Sequence, residues 1–569
     1  MLPRRHLWNA VFVLCAIAAL KGAWDLVQVI SLEASGAIDS DGLLYFTVGR
    51  GILNHVTPYV GLFESKPPGM FLVAALSLLT TGNERLALAL QILIYVFLPT
   101  GLAVFAWRTS VEKPRIERSV LAATGVLLGI LLALYLQQRA GGVQGEAFGT
   151  AFAFAFFLAF LAWEKKNDVI RTIILGILLA AGIGMKEPFL LTITGGMLLL
   201  VKDGRHFLRC YVIPLGIAAG LGLLVLVGTG WLDPYLHTYL PGMLHGRVEA
   251  NPIEPPWIRG FTAGRLLGNL TTYHTAPLLG YLLGLLWMFA PILRSHRTPK
   301  APDIGLSLLT AAAVYKAMIF AFFFLVTWKV SLLHMTLEQS ILPIPGFSFF
   351  LLLIVCAVLL WCQWKRGFLV SSLLVIIALY LATYTVGISI YAVNHFAFAV
   401  PVYLALALLF LRHAAGPHAS SVIVWPVIAL TVLSVFAYRS DEVQFRLVNN
   451  RLQYGSARHI EEVLKVDAML DACTIDRYGS VDAFLALAFA RHSPVGPLFV
   501  WNYFDYLGAD NVLFAQTRAN LEKAQVIISA EGPDSPRVAD LIAARFTEKA
   551  PPCATPFLPI TGLRVYFPK

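Results

Sequence analysis

Two aspartates two residues apart, a lysine before a proline pair, a glutamate that opens one apolar run and a lysine that closes another are the residues of this 569-residue chain best suited to chemistry. Asp39 and Asp41 stand in IDSDGLLYF, just after the first apolar stretch. A spacing of two puts both carboxylates on one side only of an extended backbone, because on a helix they diverge by about 200°. One carboxylate acting as a general base therefore fits better than a dyad sharing a proton. Asp41 or Ser40 would equally serve to cap the amphipathic segment 43–53 that follows.

In FESKPPGMF, two prolines fix an extended approach and a helix start, with Lys66 immediately before a membrane-surface helix. A lysine there either snorkels to lipid headgroups or binds a lipid phosphate as a compact charge beside a positive helix terminus. Glu146, in VQGEAFGTAFAFAFFLAF, is either a plain helix N-terminus or an acid at the mouth of an apolar span. Lys186, in GIGMKEPF, sits between two short spans, and a near-membrane cation with no orienting role points to a site. Arg247, in LHGRVEANP, offers a forked guanidinium suited to phosphate. His237 and His245, eight apart with no carboxylate pair beside them, make a weak metal case.

The elements that must carry these residues are set by composition. The chain is 58% hydrophobic and 13% charged with a mean hydropathy of +0.72, which excludes a cytosolic enzyme, a disordered chain or a fibrous one. The formal charge of +10 resides mostly in short loops between apolar runs, so it orients helices and does not bind nucleic acid. A retained first helix and spans near 85–107, 119–136, 146–163, 172–185, 188–201, 210–230, 276–293, 303–326, 341–362, 367–386, 395–411 and 420–438 make about thirteen. If Arg4 and Arg5 are cytoplasmic, the basic loops at Arg108–Arg118, Lys165–Arg171, Lys202–Arg209, Arg294–Lys300 and Lys365–Arg366 follow in register. Loops 31–84 and 231–275, and everything after about 440, are then expected outside.

Residues 440–569 change character, with short runs such as CTIDRYG, PLFVWN, AQVIISA and LRVYFPK around the helical SPRVADLIAARF. This predicts a small α/β domain following a membrane domain over 1–439. Cys473 and Cys553 in this tail either pair or remain two buried thiols. Cys15, Cys210, Cys356 and Cys362 read as small buried hydrophobes, and no CxxC pair exists to support zinc or thiol redox chemistry.

The D-x-D-x-x-x-Y segment from Asp39 to Tyr45, the run NHVTPYVGLFESKPPG and the later GILLAAGIGMKEPF resemble GT-C fold glycosyltransferases, specifically the bacterial branch related to protein O-mannosyltransferases and lipid A aminoarabinose transferases. The resemblance implies a polytopic α-helical GT-C protein of about thirteen spans with a C-terminal periplasmic α/β domain in a bacterial cytoplasmic membrane. By it Asp41, four before Tyr45, takes the catalytic acidic position, although Gly42 stands where Glu is common and Asp39 is left to supply a second charge. Glu146 matches a second acidic residue, while Lys66, Lys186 and Arg247 would contact donor phosphate. The implied donor is a sugar on a polyprenyl phosphate, and the acceptor is a lipid, glycan or protein. With a stable phosphate as leaving group, an inverting transfer needs one base and cations rather than a general acid. No cofactor is assigned to it, and a divalent cation is left open. A lipid-linked sugar transporter or flippase, and a ligase using a diphosphate-linked donor, are the rival expectations.

Overall fold

The computed structural model describes residues 4–34, 40–136, 142–163, 169–201, 204–243, 400–417, 421–438, 456–481, 488–498, 511–530, 536–553 and 563–569, with Phe398 and Val448. Asp39, Arg247, His245 and the expected spans at 276–293, 303–326, 341–362 and 367–386 lie outside the described residues.

Helices α1 (Arg4–Ala34), α2 (Ser40–Leu53), α3 (Gly69–Thr81), α4 (Arg85–Thr109), α5 (Arg115–Leu136), α6 (Gly145–Ala162), α7 (Val169–Met185) and α8 (Pro188–Leu200) follow in order. Helix α9 (Gly204–Gly228) contains a π-helical turn over Leu208–Val212. Later come α10 (Val400–Ala415) and α11 (Ser421–Ala437). Among the described residues five helices, lying in α1, α4, α5, α6 and α9, are long and apolar enough to cross a membrane, and shorter apolar helices pack with them. The chain is a polytopic helical membrane protein. Leu14, Leu20 and Trp24 stand exposed on α1, as residues facing lipid do.

Helices α4 and α5 approach closely because small residues let their backbones meet. A Cβ on Gly129 would lie 2.2 Å from the Cα of Pro99. At 31 residues, α1 is about 46 Å long, more than a hydrocarbon core of about 30 Å requires, so one end projects beyond it. Arg171, expected to be a basic loop residue, is buried in α7. Its guanidinium donates to the Phe160 carbonyl at 3.3 Å and to Cys210 Sγ at 3.4 Å, because a charge carried into the bundle must find partners.

The tail holds helices α12 (Ser456–Ala472), α13 (Val512–Glu522) and α14 (Pro536–Arg545) and strands β1 (Tyr478–Val481), β2 (Val526–Ala530), β3 (Phe546–Glu548) and β4 (Leu563–Pro568). Sheet order is β1-β2-β4-β3, with β1 and β2 parallel and joined through α13, and the other pairs antiparallel. The expected strand CTIDRYG starts only at Tyr478, since Cys473 still closes the end of α12. Phe546, expected to end a helix, instead begins β3, where pairing with β4 outweighs local preference. Cys473 and Cys553 form a disulfide with Cα atoms 5.3 Å apart, while Cys15 and Cys210 are free and buried.

The tail docks on the first loop. Phe63 N–H donates to the Pro497 carbonyl at 2.7 Å, and Asn54 donates to the Arg491 carbonyl at 2.8 Å and to Ser493 Oγ at 3.0 Å. Phe46 of α2 meets the Phe489 ring at 5.1 Å. Loop and tail therefore share one face of the helical bundle, called here the loop face.

Candidate functional site

Helix α2 begins at Ser40. The Asp41 carboxylate lies in the first helical turn, half-buried, where the positive end of the helix favours its charge. Four residues on, Tyr45 is fully buried with its ring 6.3 Å from Phe71 of α3. The i,i+4 spacing puts Asp41 on the same face of α2 as Tyr45, whose ring meets Phe71 near the start of α3.

That start is the Lys66-Pro67-Pro68-Gly69 turn, and it packs on the turn between α7 and α8. A Cβ on Gly69 would lie 2.3 Å from the Gly184 carbonyl oxygen, so glycine is required where the two turns meet. Gly145, opening α6, is closely but less tightly placed: its Cβ would meet the Lys186 Cε and the Met70 Cγ, each at 3.2 Å. Three sequence segments more than a hundred residues apart at their extremes thus converge on the loop face.

Each candidate lysine there holds a carboxylate. Lys186 Nζ is 2.7 Å from Glu146 Oε1, with side-chain exposures of only 4% and 2%. The Lys186 ammonium also lies 5.5 Å from the Phe398 ring centre. Lys66 Nζ is 3.2 Å from Glu64 Oε1, and its side chain stays 21% exposed. An ammonium has three donor hydrogens, so a lysine paired with a carboxylate can still donate to a phosphate. The Lys66 side chain is partly exposed, whereas that of Lys186 is buried.

An aromatic group lines the same region. Tyr59 lies 6.1 Å from Phe71, 6.0 Å from Tyr235 and 4.7 Å from Tyr239, and its hydroxyl donates to the Lys66 carbonyl at 3.1 Å. Burial first, then the charges of Tyr235, Glu187 and Glu64, push the Tyr59 phenol well above its ordinary range. Burial and Glu187 push Tyr235 up to about 12. Both phenols are therefore neutral near pH 7, and the Tyr59 hydroxyl keeps the proton it donates to the lysine turn. His237 bonds only locally among these, its Nδ1 2.8 Å from Asp233 Oδ1 on an exposed turn. No group of three or more metal-ligating side chains occurs among the described residues.

Sequence reasoning missed four polar residues of this region: Glu33, Glu64, Gln91 and Glu187. Glu33 is completely buried at the end of α1, and both of its oxygens accept from Gln91 Nε2, at 3.3 and 3.4 Å. Gln91 Oε1 in turn accepts the Gln144 N–H at 2.6 Å. A carboxylate at a span end and an amide within the apolar α4 run were the available signals, since polar groups inside a bilayer are costly and seldom idle.

No family model matches the chain, and no curated protein matches it. Two solved structures align with nearly all of it: ArnT from Cupriavidus metallidurans bound to undecaprenyl phosphate, at 12% identity over 96% of this chain and 97% of that one, with a TM-score of 0.38. The apo state of ArnT from the same organism aligns at 13% identity over 99% and 98%, with a TM-score of 0.37. The chain is thus similar to ArnT from end to end, at scores below the level from which a shared fold follows.

Proposed function

We propose that this chain is an inverting glycosyltransferase that moves a sugar from a polyprenyl-phosphate carrier to an acceptor hydroxyl or phosphate at the outer face of a bacterial cytoplasmic membrane. The observation that carries the reading is the packing of the Lys66-Pro67-Pro68-Gly69 turn on Gly184, which brings Lys66, Lys186 and Glu146 to the start of α3, the helix that the Asp41-bearing α2 meets through Tyr45 and Phe71. Two lysines, each paired with a glutamate, and a further carboxylate at Asp41 supply the donors and the base that transfer from a lipid phosphate needs. The motifs in which these residues stand resemble those of the GT-C enzymes, and they are the same segments that the fold gathers.

In the mechanism so proposed, Asp41 takes the proton of the acceptor hydroxyl as its oxygen attacks the anomeric carbon. The bond to the carrier phosphate breaks on the opposite face. Lys66 donates to the departing phosphate oxygens, with Arg247 as a further donor, and Lys186, held by Glu146, keeps donor hydrogens for the same phosphate. Asp39 supplies additional negative charge to the acceptor side. The tail, docked over the first loop, borders the site where an acceptor arrives. Mass spectrometry of polyprenyl-linked sugars and envelope glycans in a deletion strain tests this. Accumulation of one lipid-linked sugar with loss of one glycan, lipid or protein modification is expected, and unchanged pools of both overturn it.

A further inference from the structure

Glu33, Gln91 and Gln144 form a buried polar line across three helices, and none of them takes part in the mechanism above. All three are at most 2% exposed. Burying a carboxylate costs several kcal/mol unless its oxygens are hydrogen-bonded, so an arrangement in which both Glu33 oxygens accept from the one Gln91 amide nitrogen holds a defined geometry. The Gln91 amide is used at both ends: its NH₂ meets Glu33 of α1, and its oxygen takes the N–H of Gln144.

The Gln144 end matters most. Gln144 is the N-cap residue of α6, in extended conformation at φ −100° and ψ 127°, and its own side chain makes no capping bond. Its N–H is among those that a helix start leaves without an intrahelical acceptor, and Gln91 satisfies it from a neighbouring helix. Two residues on, Glu146 reaches Lys186 at 2.7 Å. At the other end, Glu33 lies eight residues before Asp41, at the root of the segment that carries it.

We infer that Glu33 and Gln91 are positioning residues that tie the root of the Asp41 segment to the start of α6, and thereby hold Glu146 in register with Lys186. Gln91 is the joint, because its amide contacts both sides. The register follows from geometry, and its consequence for transfer rests on the glycosyltransferase reading.

The test separates the two. In membranes containing the full chain, the hydrophobic reagent dicyclohexylcarbodiimide should join Glu146 to Lys186, a link that peptide mass spectrometry reads without any substrate. Glu33→Gln keeps an acceptor for Gln91 and should retain the link. Glu33→Leu and Gln91→Met, which preserve volume but not the bonds, should each reduce its yield about tenfold or more, because a displacement near 1 Å removes a reactive geometry. The double variant should lose no more than Gln91→Met alone, as members of one chain of bonds do. Equal yields in all variants, or additive losses, overturn the inference. Loss in Glu33→Gln as great as in Glu33→Leu overturns it too, and this conservative variant keeps the test decisive if the others do not fold. Titration of the same samples with undecaprenyl phosphate judges the functional reading independently: no binding by the unaltered chain refutes that reading and leaves the cross-linking result intact.

Discussion

Replacing Glu146 by leucine would leave the Lys186 ammonium inside the bundle with its nearest counter-charge gone. The two groups are 2.7 Å apart and their side chains are 4% and 2% exposed, so solvent screens neither. Removing one partner of such a pair costs about 3–5 kcal/mol, whereas replacing both by apolar groups of similar volume is often close to neutral. Glu146→Leu and Lys186→Met should therefore each shift the unfolding equilibrium by about 10² to 10⁴, and the double variant should recover most of that stability. Reversible unfolding in mixed micelles, followed by tryptophan fluorescence, measures all four corners of the cycle. The same samples assayed for transfer from a polyprenyl-phosphate sugar should show the double variant folded but defective, which separates the contribution to stability from the contribution to the reaction. Single losses below about 1 kcal/mol would mean that the pair behaves as an exposed one. A double variant as unstable as the sum of the two singles would mean that the groups do not interact, and either result refutes the reasoning.

Asp41→Asn should reduce transfer by about 10² to 10⁴ while donor lipid still binds, and Asp39→Asn should leave partial activity; turnover of the purified variants decides, and near-normal activity of the Asp41 variant removes it from the role of base. Lys66→Ala should weaken binding of undecaprenyl phosphate, read by native mass spectrometry, because Lys66 is the exposed member of the two lysine pairs; unchanged affinity returns it to anchoring at the lipid surface. The Tyr235 phenol is raised in the folded chain to about 12 from an ordinary value near 10, so the folded state holds its proton more tightly. Its contribution is complete below pH 10 and is lost as pH rises toward 12; Tyr235→Phe should lessen the loss of stability over that window, with phenolate absorbance reporting the ionisation. A reporter fused after Lys569 and a cysteine placed at Asn54 should report the same side, since loop and tail are in contact, and the basic-loop register makes it the outer one; opposite sides for the two, or a cytoplasmic tail, would overturn the expected sidedness.

The apolar helices were legible because hydropathy is a local property. The expected runs at 85–107, 119–136, 146–163, 172–185 and 188–201 fall within a few residues of α4, α5, α6, α7 and α8, and AQVIISA and LRVYFPK become β2 and β4. Each depends on neighbours no more than a helical turn or a strand away. Lys66, Lys186 and Glu146 were also singled out by sequence, as charged residues beside prolines and glycines at span ends. Which of them meet was decided only by tertiary structure. The Lys186–Glu146 pair joins residues 40 apart, Glu33 and Gln91 are 58 apart, and Asn54 bonds to a tail residue 437 away. Nothing in the local sequence fixes such partners, because they follow from how helices of similar apolar character pack and from where a glycine lets two backbones touch. The same reason explains β3 and the disulfide. Phe546–Glu548 becomes a strand because β4 lies beside it, and Cys473 pairs with Cys553 because the folded tail brings their backbones within bonding reach.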